Sequence, residues 1–336
     1  MSRFARVVAL GLALACVPAM GCFKSGPVGR VNILEGRTKD TRGTYLGLPL
    51  KSGQVVLTES PDTTSFAFSL IPEKFFPFTH VAILSMEDGE PWVYDVTGGV
   101  ATIPTHSRML DNVSGTLFRR PLMEYASGNM HTEIYEPPPG TDRARMIAYV
   151  QKLYAGGKVA FDNRFDHRDH SALYCSELVA LAIEAGGGEA PRPVKNSLHP
   201  SVQGALKFLG VPEDESLPVG LFAPQDRFVA ALGPFQSRTQ AWAYFAAKRE
   251  IYRRFAADQR LGFVLSLSGQ GELGVRPEIV AFADEASHLF DADPNPPKPG
   301  DPRIAEATVA LANRKFGPFD GGTTVATQSS PATRAP

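Results

Sequence analysis

The sequence is poor in cysteine: three in 336 residues, at positions 16, 22 and 175. Exported domains stapled by disulfides carry a dense, even set, so a body with one thiol excludes that design. An excess charge of either sign is also missing. With 34 Lys plus Arg against 35 Asp plus Glu, the formal charge is −1. No basic field exists to recruit nucleic acid, which is therefore not expected as a partner. No apolar run reaches the ~20 residues that a spanning helix needs, and no internal repeat is visible. What is present, 43% hydrophobic and 21% charged residues, suits one substantial core with appendages.

The N-terminus, "MSRFARVVALGLALACVPAMGC", has two arginines, an apolar run from Val7 to Val17 and then small residues. That is the layout of an export signal, so residues 1–22 are set apart from the fold. Cleavage before Cys22 would follow the bacterial lipoprotein pattern, with Cys22 lipidated and Cys16 a competing candidate. The expected location is periplasmic or cell-surface, with a membrane anchor at Cys22. A lipidated Cys22 leaves Cys175 without an internal partner, as a free thiol in a compartment that oxidises thiols.

Residues 23–50 read as a polar tether, and 51–225 as the main domain. Within it, 53–60, 78–86 and 91–104 are short β-branched or aromatic runs separated by turn residues, and further strands are expected near 115–122 and 131–138. The spacing of Met146, Ile147, Val150, Leu153 and Tyr154 predicts an amphipathic helix over 140–157, with Thr141 as N-cap. In the helix 175–185, Leu178, Val179, Leu181 and Ile183 leave almost no polar face, which places it in the interior. A glycine- and proline-rich loop follows over 186–202. Residues 226–290 read as a helical extension. Its strongest helix, 237–263, has Ser237 as cap and carries Trp242, Phe245, Tyr252 and Phe255 among Lys248, Arg249, Arg253 and Arg254. It reads as an accessory helix docked on its own domain with its arginines in water, and the alternative is a helix lying on an anionic membrane. Residues 291–336 form a Pro-rich, mostly disordered tail with a short helix at 303–314.

Cys175 begins its helix in "YCSEL". At the first turn a thiol meets unsatisfied N–H groups and the positive end of the helix dipole, which favour the thiolate. A cysteine can equally be a small, inert core residue. Its solitude and its place at the helix start favour a nucleophile. A thiolate nucleophile needs a base, usually histidine, and the histidine needs an orienting group. Of seven histidines, His80 in "FTHVAIL" heads a strand, where a ring can be aimed. Asp95 in "WVYDVTGG" lies on the next strand, within reach of a cross-strand contact.

The order of "GQVVLTE", "FTHVAIL", "VYDVTGGV" and "FDNRFDHRDHSALYCSELV" resembles the permuted branch of the NlpC-type papain-like hydrolases, the YiiX/YaeF-like group, related to lecithin retinol acyltransferases. In that branch the His-bearing strand precedes the Cys-bearing helix. The resemblance covers about residues 45–225. It implies an α+β fold in which the buried Cys helix packs on an antiparallel sheet or partial barrel. Cys175 would be the nucleophile, His80 the base and Asp95 the third polar residue, a position more often Glu in the family. The implied chemistry is acyl transfer through a thioester, with the Cys175 backbone N–H in the oxyanion hole and Tyr174 as an auxiliary hydroxyl, its other reading being a ring packed on the sheet. Expected substrates are amides or esters: a peptidoglycan peptide, an acyl-lipid or an N-acyl amino acid.

Two other signals compete. Asp162, Asp166, His167, Asp169 and His170 crowd "DNRFDHRDH", yet the spacing matches no zinc pattern and Arg164 and Arg168 intervene, so no metal and no cofactor is expected. "GQGELG" at 269–274 satisfies a dinucleotide-binding pattern, but Pro277 stops the helix it would open. The rivals to the cysteine enzyme are an envelope scaffold that keeps the fold without activity, and a metal-dependent hydrolase built on 162–170.

Overall fold

A computed structural model of the chain describes residues 30–39, 41–60, 63–97, 116–157, 159–162, 164–209, 211–258, 260–267 and 273–319. The expected export segment with Cys16 and Cys22, most of "GQGELG" and the end of the tail lie outside them. In chain order the elements are β1 (Asn32–Glu35), β2 (Val55–Glu59), α1 (Thr63–Ser69), β3 (His80–Glu87), β4 (Glu90–Thr97), β5 (Thr116–Pro121), α2 (Leu122–Ser127), β6 (His131–Tyr135), α3 (Arg143–Ala155) and α4 (Cys175–Ala185). They continue with β7 (Val194–Lys195), α5 (Pro200–Leu209), β8 (Glu215–Ser216), β9 (Phe228–Gly233), α6 (Arg238–Asp258), β10 (Leu265–Leu267), β11 (Leu273–Val275), α7 (Pro277–Ser287) and α8 (Pro302–Phe316).

The class is α+β. Seven strands form one sheet in the order β1-β9-β6-β2-β3-β4-β5, and every neighbouring pair is antiparallel. The sheet separates two apolar clusters. On one face Val55, Leu57, Val81, Ile83 and Tyr94 pack with α3, α4 and α6. On the other, Val56, Ala82, Leu84, Val93 and Ile134 lie under Leu122, Tyr125 and Ala126 of α2 and under Leu48 and Leu50. Alternation along each central strand fills both clusters, which is why β3 reads as an unbroken apolar run rather than as one wet and one dry face.

Helix α4 follows its expected bounds. Leu178, Val179, Ala182 and Ile183 are fully buried, and each large apolar side chain so placed stabilises by roughly 1.5–3 kcal/mol. The helix ends at Gly186, where a Cβ would come within 2.8 Å of the Asp142 carbonyl oxygen. Gly187 then takes φ +75°, a left-handed residue of the kind that closes helices. The N-cap of α3 is Asp142 rather than Thr141: its carboxylate accepts from the N–H groups of Ala144 and Arg145, whereas the Thr141 hydroxyl donates to the Pro138 carbonyl 2.7 Å away.

Several boundaries differ from the sequence reading. β1 lies in the stretch read as a tether, and β9 in the stretch read as a helical extension, yet the two pair with each other and β9 pairs with β6 inside the main sheet. β1 has four residues, too few for alternation to show, and β9, "FVAALG", is half alanine and glycine, residues depleted in strands. α6 carries the expected Ser237 cap, its hydroxyl accepting from the Gln240 N–H at 3.2 Å. However, Arg238, Lys248 and Arg254 of α6 are buried, so they are not in water and do not form a membrane-facing basic surface. The helix expected at 303–314 is α8, and it packs on α6 and α7. Among the described residues no helix is long and apolar enough to cross a membrane.

Candidate active site

The β3–β4 hairpin fixes the first two residues of the site. Its turn is "EDGE": Glu87 pairs with Glu90, and Asp88 and Gly89 take φ +51° and +85°. Positive φ at both central positions is the two-residue turn whose twist matches a hairpin, and Asp-Gly favours it. The register that follows sets Ile83 opposite Tyr94, hence Ala82 opposite Asp95 and His80 diagonal to it. The diagonal reach is bridged: His80 Nε2 and Asp95 Oδ1 are in hydrogen-bond contact, which leaves Nδ1 as the nitrogen free to face another partner.

That partner is Cys175. The thiol and the imidazole lie close enough for each to shift the other's ionisation, and the backbone N–H of Val81 also favours the thiolate. Cys175 belongs to the apolar cluster on the helix-covered face, while alternation assigns His80 to the opposite face with Ala82 and Leu84. The two meet because His80 is the first residue of its strand, where the ring is not enclosed by the sheet. The structure thus brings Cys175, His80 and Asp95 together in series.

The electrostatics follow from the burial and the pairing. Burial raises the Cys175 thiol, but the adjacent His80 outweighs it and the pKa is lowered. Burial alone would lower His80, yet the Asp95 carboxylate and the Cys175 thiolate raise it to about 10. Asp95 has no exposed surface; burial pushes it up, and the charges of His80 and Arg120 more than reverse that. A lowered thiol beside a raised imidazole favours the thiolate–imidazolium form of the pair over the neutral one.

Two residues of this cluster escaped the sequence reading. Arg120 of β5 pairs with Asp95 Oδ2, and its guanidinium lies 5.2 Å from the ring centre of Tyr125. Tyr125 of α2 in turn stands with its ring 6.4 Å from that of His80. Arg120 sits in "LFRRPL", and only the β4–β5 register, which places it opposite Val93, reveals that it and Asp95 share a face. Tyr174 is buried beside the nucleophile, and its hydroxyl has no hydrogen-bond partner. Burial and the nearby thiolate hold that phenol well above its ordinary range, so it remains a neutral donor.

The helix start carries a further acid. Glu177 is almost fully buried, its Oε1 lies 2.5 Å from His170 Nδ1, and burial raises its pKa to about 6 against the lowering effect of His170. The charge-rich loop before the helix is dispersed by its contacts. Asp162 accepts from the N–H groups of Arg164 and Asp166, Arg168 pairs with Asp166, and His167 pairs with Glu215. Among the described residues no group of three or more His, Cys, Asp or Glu gathers as a metal site.

No family model matches the chain, and no curated protein does. Among solved structures, the crystal structure of the metalloprotein YiiX from Escherichia coli O157:H7 aligns with a TM-score of 0.40 at 17% identity, over 54% of this chain and 95% of that one. At that level of likeness no residue role and no ligand passes from one chain to the other.

Proposed function

We propose that the chain is a cysteine-dependent hydrolase or acyltransferase that cleaves an amide or ester through a Cys175 thioester, on a permuted papain-like fold. One observation carries this reading: a thiol at a helix start, the free cysteine among the described residues, beside a histidine that a buried carboxylate holds by a hydrogen bond. The thiolate of the resting pair attacks the carbonyl carbon, and the carbonyl oxygen gains the negative charge. First-turn N–H groups of α4 and the Tyr174 hydroxyl are the donors placed to receive it. As the C–N or C–O bond breaks, the proton on His80 goes to the leaving nitrogen or oxygen, which gives the thioester. Water, or an acceptor alcohol or amine, then loses a proton to His80 and attacks the thioester, returning thiolate and imidazolium. Asp95 holds the ring and balances its charge throughout.

The substrate in this reading is an envelope amide or ester, a peptidoglycan peptide or an acyl-lipid or N-acyl amino acid. The N-terminal sequence supports export and a lipid anchor at Cys22. Proteolysis of the anchor segment would not disturb the site, whose residues all lie beyond position 79.

The pH profile follows in sign. Activity rises as Cys175 ionises, below the ordinary thiol value, and declines as His80 loses its proton near 10. The test is the rate of iodoacetamide labelling of Cys175 against pH, in protein lacking Cys22 and in its His80→Ala variant. An inflection well below about 8.5 that moves upward in the variant supports the pair. Slow labelling with no such inflection, unchanged by the substitution, makes Cys175 an ordinary thiol and gives the scaffold reading precedence.

A further inference from the structure

The loop that leads into the nucleophile contains a phenylalanine in an unfavourable conformation. Phe165 has φ +54°, the left-handed region that L-residues with bulky side chains rarely enter and that persists only where the surroundings enforce it. The enforcement is visible. The two oxygens of the Asp162 carboxylate accept separately from the N–H of Arg164 at 2.7 Å and that of Asp166 at 2.6 Å, so the backbone on both sides of Phe165 is tied to one buried side chain.

The ring so displayed completes a line of aromatics. Phe165 packs edge-on against Tyr174 with centroids 5.4 Å apart, against Phe161 at 5.9 Å and against Phe68 of α1 at 5.4 Å. The inner end of the line, Tyr174, is the residue before the nucleophile and lies within electrostatic range of its sulfur. The inner end, Tyr174, belongs to the core, Phe165 is half-buried and the outer end, Phe68, is 36% exposed, so the line runs from beside the nucleophile to the surface. The acids of the same loop are engaged within it: Asp162 by the two N–H groups, Asp166 by Arg168 and Asp169 by the Ser171 N–H.

Resting on the thioester reading above, we propose that Phe68, Phe165 and Tyr174 form the wall that receives the acyl portion of the substrate, and that this portion is apolar and several carbons long. The group bonded to the Cys175 sulfur in the thioester must lie beside the helix start, and the aromatic line is the apolar surface that begins there. The substrate class is thereby an acyl ester or amide with a hydrocarbon acyl chain, in preference to a charged peptide. Phe165 is a specificity-determining residue, and Asp162 positions it.

The probe is a series of N-alkylmaleimides from ethyl to octyl, reacted with Cys175 in protein lacking Cys22, each rate divided by that of the same reagent with a small free thiol. The readout needs no turnover, so it separates this proposal from the catalytic one. Complete burial of a methylene corresponds to about fourfold, and an open wall to roughly half that free energy, or about twofold per methylene. Over the six added methylenes the expected octyl-to-ethyl ratio is therefore about sixtyfold, and it falls severalfold in Phe165→Ala and in Phe68→Ala. Phe68→Ala guards against loss of fold, because that ring is already at the surface. A ratio near one in the wild type, or a high ratio that neither variant lowers, overturns the wall while leaving any low-pH inflection of the thiol intact. A chain-length preference without that inflection would retain the wall as a binding surface and remove the enzyme.

Discussion

Two buried carboxylate–histidine pairs sit on the same sheet, and they differ in what lies on the far side of the histidine. Asp95 is flanked by His80 and Arg120. Glu133 of β6 is flanked by His131 at 2.9 Å, by Arg238 at 2.8 and 3.0 Å, by Trp242 Nε1 at 2.9 Å and by the Tyr135 hydroxyl. Both carboxylates are without exposed surface, and the pKa of each is depressed by its partners, that of Glu133 to about 2. The histidines differ. His80 retains 18% exposure and has a thiol on its other side, whereas His131 retains 1% and faces Phe78, Phe235 and Phe245. A histidine held by a carboxylate is thus a structural rivet until a nucleophile and a path for substrate are added to it.

The comparison is broken most strongly at Glu133. Its donors come from β6 and α6, so it ties the long helix to the sheet, and its removal leaves Arg238 buried with its main counter-charge gone. Glu133→Ala is expected to lower unfolding stability by about 3–5 kcal/mol, measured by urea denaturation. Cys175→Ala, which removes one small buried group, should lower it by about 1 kcal/mol or less while abolishing thiol labelling, and the proposed turnover with it. If Glu133→Ala proved as benign as Cys175→Ala, the two clusters would not differ in the way described.

A smaller effect sharpens the same contrast from the side of the thiol. Arg120 pairs with Asp95 and stacks over Phe118 and Tyr125, so its route to the thiol runs through Asp95 and His80. In Arg120→Met the buried carboxylate keeps His80 alone as counter-charge, so its pKa rises and the imidazolium loses support as pH falls. The acid limb of the labelling profile should move upward by about one unit, equivalent to ~1.4 kcal/mol, and Arg120→Lys should recover part of the shift. A loss of stability with the limb unmoved would make Arg120 a packing residue only.

How much of this was legible beforehand depended on whether the signal was local. The helix 175–185 and the strands at 80 and 90 announce themselves through apolar runs and an Asp-Gly turn, and a lone thiol at a helix start draws attention in any chain. The α+β class came with the family resemblance that those segments carry. Arg120 was hidden because a long connection separates β4 from β5, so no pattern in the sequence declares their register. The Glu133 cluster was hidden by distance: Glu133 and Arg238 are 105 positions apart, and the arginine lies on a helix whose composition reads as an exposed basic face. Buried ion pairs of this kind invert the rule that charges lie outside, and only the fold shows which charges are matched. β1 was hidden by its length of four residues, and β9 by a composition in which alanine and glycine make up half of the strand.

The least of the expected effects lies at Glu177, and its sign depends on pH. This acid sits in the first turn of the Cys helix, where an anion is favoured by the helix dipole, but burial dominates and raises it from 4.5 to about 6. A carboxyl whose folded value exceeds its unfolded value is disfavoured when ionised. Its penalty is absent below the unfolded pKa, develops as pH rises through the folded one and is full above it. Glu177→Gln removes the charge and keeps an oxygen for His170. It should therefore stabilise the fold by up to about 2 kcal/mol at pH 8, with the gain fading to nothing by pH 4.5 in denaturation curves taken across that range. The opposite sign, a loss at pH 8, would mean that the ionised pair with His170 outweighs burial and that Glu177 anchors the helix start as a charge, which would make it a second carboxylate–histidine rivet beside Glu133.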